Sequence, residues 1–139
     1  MSTQVPETHI EMLEGPVYGV LSTHMPAGSI QSTLVWFNYD GEYLYVNTKR
    51  GRIKERNIML NPQVAILAVD TTNPWKYISI SGKVIEVIEE GTVEHLDKLT
   101  QIYLQQENYY GVVEPEEALE GITRCIFKIA IENVITIGE

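Results

Sequence analysis

The sequence predicts a mainly β fold, a small six-stranded antiparallel barrel with helices on its surface. Six runs rich in β-branched and aromatic residues alternate, or stay apolar, over strand lengths. Short turn signals such as Asp40-Gly41 separate neighbouring runs, which suits antiparallel pairing, and few stretches carry helical periodicity. At 139 residues, 44% of them hydrophobic, the chain is long enough for one domain over residues 1–139 with a real core.

Each element has its own local cause. Residues 6–14 begin with Pro6, tolerated in a first helical turn, and stop at Gly15-Pro16, so they form a short helix. Residues 17–23 are the first strand, Met25-Pro26-Ala27-Gly28 turns the chain, and 29–37 is the second strand. Asp40-Gly41 closes a hairpin into the third strand, 43–48, with Leu44 and Val46 on one face and the tyrosines on the other. A helix of about ten residues then starts in the basic stretch 49–56 and ends at Asn61-Pro62. Residues 63–70 are apolar at nearly every position, the mark of a strand covered on both faces. In 77–89, Ile78, Ile80 and Val84 alternate with Ser79 and Ser81, and Gly82 marks a bulge. Thr92 caps a helix running to 106, whose Val93, Leu96, Leu99, Ile102 and Tyr103 form one apolar stripe. Pro115-Glu116-Glu117 opens a short helix that Gly121 closes, and 123–137 is the last strand.

Composition narrows the function. A net charge of −9 argues against general nucleic-acid binding, which needs a basic face to neutralise phosphates. No apolar run is long enough to span a membrane, so no membrane partner is expected. The first residues lack the basic start and apolar stretch of a signal peptide, and Cys125 is the lone cysteine; both fit a cytoplasmic location. His9, His24 and His95 do not fall at ligand spacing, so no metal site is expected.

Against that acidic background, five of the ten basic residues fall within Lys49-Arg50-Gly51-Arg52-Ile53-Lys54-Glu55-Arg56. A strand ends and a helix begins there, so free backbone N–H groups and the positive end of the helix dipole meet the cations. On a helix, Arg50, Lys54 and Asn57 would share one face and Arg52 and Arg56 another. Phosphate fits such a place, because its oxygens accept from backbone, arginine and lysine donors together. The alternative is a solvated helix face. Gln31-Ser32-Thr33-Leu34-Val35-Trp36-Phe37 reads in two ways: a slot for a planar ring, or a strand whose Leu34 and Trp36 fill the barrel. Asn73-Pro74-Trp75-Lys76-Tyr77 likewise borders a pocket or covers a barrel end. No residue stands out as acid, base or nucleophile. Tyr18, His24, Tyr77, Tyr109 and Tyr110 are candidate proton donors, with packing the competing role, and Cys125 reads as a buried inert thiol.

Thr48 to Asn57 followed by Asn61-Pro62 resembles the strand–helix phosphate motif of pyridoxamine 5′-phosphate oxidase-like split β-barrels. Val35-Trp36-Phe37 before Asp40-Gly41, Asn73-Pro74-Trp75-Lys76-Tyr77 before Gly82, and the closing Arg124-Cys125-Ile126-Phe127-Lys128-Ile129 strand fall in the same order as in the short deazaflavin (coenzyme F420)-dependent branch of that family. The resemblance implies an FMN-binding-type split β-barrel and a homodimer with a flavin-type cofactor at each subunit interface. It assigns the cofactor phosphate to Thr48, Arg52 and Lys54, within a wider set that adds Lys49, Arg50 and Asn57. Ser32, Thr33, Leu34 and Val35 would flank the ring, and Trp75, Lys76 and Tyr77 would close the site, from the partner subunit in one arrangement. The C-terminal extension of true pyridoxamine phosphate oxidases is missing, so vitamin B6 oxidation is not expected. Coenzyme F420 carries a glutamate tail beyond its phosphodiester, and the window's cations exceed what one phosphate requires, which favours it over FMN. The expected activity is hydride transfer between that cofactor and a small conjugated acceptor. The alternatives are an FMN-dependent oxidoreductase and a non-catalytic flavin-binding protein.

Overall fold

The computed structural model describes residues 4–138. In chain order the elements are α1 (Glu7–Glu14), β1 (Val17–His24), β2 (Ile30–Val35), β3 (Phe37–Tyr39), β4 (Tyr43–Lys49), α2 (Ile53–Leu60), β5 (Gln63–Asp70), β6 (Tyr77–Ile88), α3 (Thr92–Leu104), a 3-10 turn (Glu116–Leu119) and β7 (Arg124–Ile137). The strands form one antiparallel sheet in the order β2-β1-β5-β6-β7-β4-β3. β2 and β3 lie at opposite edges, yet only Trp36 separates them in sequence. The sheet must therefore curl until its edges meet, which makes it a barrel split along one seam.

That seam is where the expectation of six strands gives way to seven. The run 29–37 has a continuous strand composition, but its first part pairs with β1 and its last part with β4. At the crossing, the Tyr103 hydroxyl of α3 accepts from the Phe37 N–H (3.3 Å) and donates to the Phe37 carbonyl (3.2 Å). Phe37 points inward, 1% exposed, and Gly19 opposite makes room, since a β-carbon there would lie 2.8 Å from the Phe37 ring. Leu34 and Trp36 therefore do not fill the barrel; Phe37 does, with Leu44, Val46, Ile66, Ile78 and Phe127.

Several local readings hold. Asp40 closes the β3–β4 hairpin by accepting from the Glu42 and Tyr43 N–H groups and the Tyr45 hydroxyl at 2.9, 2.7 and 2.7 Å. Gly82 does sit at a bulge, where β6 shifts register against β7. Others are corrected. α2 begins only at Ile53, because Lys49 still pairs with Arg124 in the sheet and Gly51 turns the chain at φ +89°. Arg50 and Arg52 precede the helix, so the shared helical faces expected for them do not form. Gly91, not Thr92, is the N-cap of α3, and Gln105 ends that helix in the left-handed region at φ 57°. β5 buries Val64, Ile66 and Ala68, but Ala65, Leu67 and Val69 face outward without a covering element in the chain itself.

α3 docks on the sheet through a polar relay as well as its stripe. Arg124 Nε–H donates to Asn47 Oδ1 at 2.7 Å, which leaves the Asn47 amide N–H groups to donate. They reach the Thr92 carbonyl (2.8 Å) and His95 Nδ1 (3.1 Å), so His95 carries its proton on Nε2 and gives it to Asn38 Oδ1 at 2.7 Å. Burial, then the charges of Lys98 and Arg124, push the His95 pKa down to about 4.

Two stability outcomes follow. Gly82→Ala puts a β-carbon 2.5 Å from the Ala130 carbonyl oxygen. It is expected to cost about 1–3 kcal/mol in urea unfolding, whereas Ser81→Ala stays within about 0.5 kcal/mol. For His95, the unfolded chain takes up a proton near pH 6.5 that the folded chain refuses until about pH 4. Its contribution is complete above pH 6.5 and is lost as pH falls towards 4, by up to about 3 kcal/mol. The loss read as the difference between wild type and His95→Gln should flatten outside that window.

Candidate functional site

A cavity of about 710 Å³ opens where the ends of β1, β2 and β4 meet α3 and the segment 109–114. Its two sides differ in chemistry. One is aromatic: Trp36 stacks on Tyr103 with centroids 5.2 Å apart and planes 8° from parallel, and Tyr109 meets Trp36 edge-on at 6.1 Å. The other is cationic, with Lys49, Arg52, Lys54 and Arg124 against the single carboxylate of Glu114. That is a local net of +3 in a chain of net charge −9.

The basic window divides its labour. Lys49 Nζ pairs with Glu114 Oε1 at 3.1 Å, and Arg50 pairs with Glu55 (2.6 Å) and Glu89 (2.7 Å). Glu55, buried at the start of α2, also accepts the Gly51 N–H at 2.6 Å and so fixes the turn before the helix. Arg52 and Lys54 line the cavity and have no carboxylate within 4.0 Å among the described residues. Burial, then the neighbouring Arg52 charge, pushes the Lys54 pKa below the usual lysine range. α2 has no side-chain cap; the Glu55 N–H turns back to the Arg52 carbonyl at 3.2 Å, which leaves the Ile53 and Lys54 N–H groups beside these two cations. An anion bound there relieves the mutual repulsion and meets the open donors together.

Of the other residues singled out by sequence, Leu34, Val35, Thr48 and Lys49 also line the cavity. Ser32 and Thr33 do not: Ser32 pairs with Ser22 at 2.9 Å, and the Thr33 hydroxyl is buried without a partner. Asn57 is spent inside the protein, donating to Thr23 Oγ1 at 3.0 Å and to the Met25 sulfur at 3.2 Å. Arg50 is held by its two glutamates, away from the cavity. Trp75, Lys76 and Tyr77 do not reach it within one chain, and Trp75 stands 76% exposed.

Sequence reading missed Asn47, Tyr103, Glu114 and Arg124. The one signal was Arg124 itself, a charge directly before the apolar run Cys125-Ile126-Phe127. Among the proton-donor candidates, Tyr18 and Tyr109 line the cavity, while His24, Tyr77 and Tyr110 do not. Burial and the Glu114 carboxylate push the Tyr109 pKa up, so its hydroxyl keeps its proton. Burial raises the Cys125 thiol to about 11, which makes it inert. Among the described residues no three His, Cys, Asp or Glu side chains gather as metal ligands. A flat anionic molecule matches the aromatic wall and the cationic side of this cavity.

Comparison with known proteins agrees with this geometry. No curated protein matches the chain. A solved structure described as an F420 reductase shares 32% identity at a TM-score of 0.79, covering 94% of this chain and 98% of that one. A putative pyridoxamine 5′-phosphate oxidase from Listeria innocua shares 18% identity at a TM-score of 0.69, over 96% and 98% of the two chains. An FMN-binding protein from Syntrophomonas wolfei subsp. wolfei shares 10% at 0.65, over 95% and 88%. The family model for pyridoxamine 5′-phosphate oxidase matches residues 5–138, from before α1 to the end of β7. With the seam, the Gly51 turn and the whole sheet inside that match, the chain belongs to the pyridoxamine 5′-phosphate oxidase-like split β-barrel family.

Proposed function

We propose that two copies of this chain bind a flavin-type cofactor, with coenzyme F420 as the leading candidate, and transfer a hydride between it and a small conjugated acceptor. The observation that carries this reading is the pair Arg52 and Lys54, cations without carboxylate partners at the head of α2, facing a cavity with an aromatic wall. Thr48, Arg52 and Lys54 hold the phosphate; Leu34, Val35 and Trp36 flank the ring. The bound group supplies the hydride chemistry, while the protein orients it and excludes water. Tyr109, neutral and in the cavity, is the hydroxyl placed to hold a proton near the acceptor.

The deazaflavin is favoured by the 32% identity to the F420 reductase. The surplus of positive charge is a weaker support than the sequence implied, because Lys49 and Arg50 are already paired with glutamates. The two window cations left unpaired at the cavity, Arg52 and Lys54, match a single terminal phosphate, and that observation favours FMN as the second reading.

The homodimer has a physical basis in the open sheet face. Leu34, Val20, Leu67, Ser79 and Ile135 lie opposite one another across five strands, and Leu34, Leu67 and Ile135 are 75, 38 and 55% exposed. Tyr18, Val69, Tyr77 and Ile137 form the next such row. A second copy on this face covers the outer side of β5, whose apolar sequence asks for cover. Leu34 belongs to both the face and the cavity, so the partner also closes the cavity, with its Trp75–Tyr77 segment at the rim.

Titration with coenzyme F420 and with FMN tests the cofactor. Binding of neither below about millimolar overturns the reading, and tighter FMN binding selects the second one. Lys54→Ala is expected to weaken cofactor binding by about 1–3 kcal/mol, while Lys98→Ala leaves it unchanged. Equal losses would mean that only net charge matters. Leu67→Glu should give monomers by sedimentation and lower cofactor affinity; an unaltered dimer removes this face as the interface.

A further inference from the structure

We infer that the cavity contains a second anion-recognition point, formed by Arg124 with Lys49, that takes a carboxylate on the acceptor substrate. This names the acceptor class for the cofactor reading proposed above, on which it rests: a planar unsaturated carboxylate.

Arg124 and Lys49 are directly opposed in the β4–β7 register, so their side chains share one face of the sheet, apart from Arg52 and Lys54 at the head of α2. Arg124 lines the cavity although the residue is only 8% exposed. A guanidinium has five N–H donors. Here Nε–H goes to Asn47 Oδ1 at 2.7 Å and one Nη1–H to the Tyr110 hydroxyl at 3.3 Å, while the Tyr109 ring lies beneath at 5.7 Å. Among the described residues the remaining donors on Nη1 and Nη2 have no acceptor, and no carboxylate lies within 4.0 Å of Arg124. The carboxylate available in the cavity, Glu114, is claimed by Lys49 at 3.1 Å. A buried cation whose nearest counter-charge is bonded to another cation is costly, and this one is held by Asn47, Tyr110 and the Tyr109 ring with donors left over at the cavity.

The free edge selects the ligand. Planar forked donors fit the two oxygens of a carboxylate, and the aromatic wall beside them fits a conjugated skeleton attached to it. Arg124, Lys49 and Glu114 together carry one net positive charge, which matches a monoanion. The cofactor's glutamate tail is the other possible source of a carboxylate. It would leave from the phosphate end at the head of α2, where Arg52 and Arg56 are exposed, whereas Arg124 is buried in the sheet opposite Lys49. The acceptor is therefore the source assigned.

Calorimetric titration of the wild-type protein with cinnamate, benzoate and fumarate against their amides, with and without coenzyme F420, tests this directly. At least one carboxylate should bind about tenfold more tightly than its amide, as a charge-assisted pair implies. Arg124→Gln should abolish that preference, Arg124→Lys should keep part of it, and both should hold cofactor affinity within about twofold of wild type. No carboxylate preference in the wild type, or one that survives Arg124→Gln, overturns the inference. So does a loss of coenzyme F420 affinity in Arg124→Gln with the preference intact, which would give Arg124 to the tail. The wild-type comparison stands even if Arg124→Gln fails to fold. Because it is also run on cofactor-free protein, it is independent of whether the cofactor reading itself holds.

Discussion

A single residue joins the two edges of the sheet, and the rest of the structure depends on that constraint. With β2 at one end of the strand order and β3 at the other, Trp36 leaves the chain no slack. The sheet has to close, and closure turns Phe37 into the barrel interior while Trp36 stays outside at the mouth. Two backbone groups of Phe37 meet the Tyr103 hydroxyl instead of a neighbouring strand, which ties α3 to the seam. The same hydroxyl-bearing ring then supplies the surface on which Trp36 stacks. The cavity is in this sense a by-product of closing the barrel, and its aromatic wall is the outer side of the seam.

Much of this fold is legible from the sequence because it follows from local chemistry. The alternation in 43–48, the Asp40-Gly41 turn, the apolar stripe of α3 and the bulge at Gly82 each need only a few neighbouring residues to be read. The split of 29–37 is not local: strand composition reports that a segment is extended, not which strand it pairs with. The late start of α2 has the same origin, since Lys49 is held in the sheet by Arg124, seventy-five residues later in the chain. The site shows the same division. Arg52 and Lys54 stand out as charges near a strand–helix junction. Asn47, Glu114 and Arg124 acquire their roles only when β4, β7 and the 109–114 segment come together.

The basic window shows how little a count of charges says about function by itself. Five cations in eight residues look like one feature in the sequence, but four of them divide among three uses in the structure. Arg50 holds the turn through Glu55 and Glu89, and Lys49 fastens the 109–114 segment through Glu114. Of the window's cations, Arg52 and Lys54 face the cavity with no carboxylate within 4.0 Å among the described residues, and Arg56 is exposed outside it. Glu55, the one acid in the window, does as much to shape the site as any of its cations, because it sets the turn from which Arg52 and Lys54 project.

The seam has a consequence for how this protein can associate. Unpaired outer strands are the usual place where one sheet recruits another, backbone to backbone, into open-ended stacks. Here the two outer strands are successive pieces of one stretch, and one of them is only three residues long. Little free rim remains to template a further strand. Any contact between copies is thereby steered away from edge-to-edge growth.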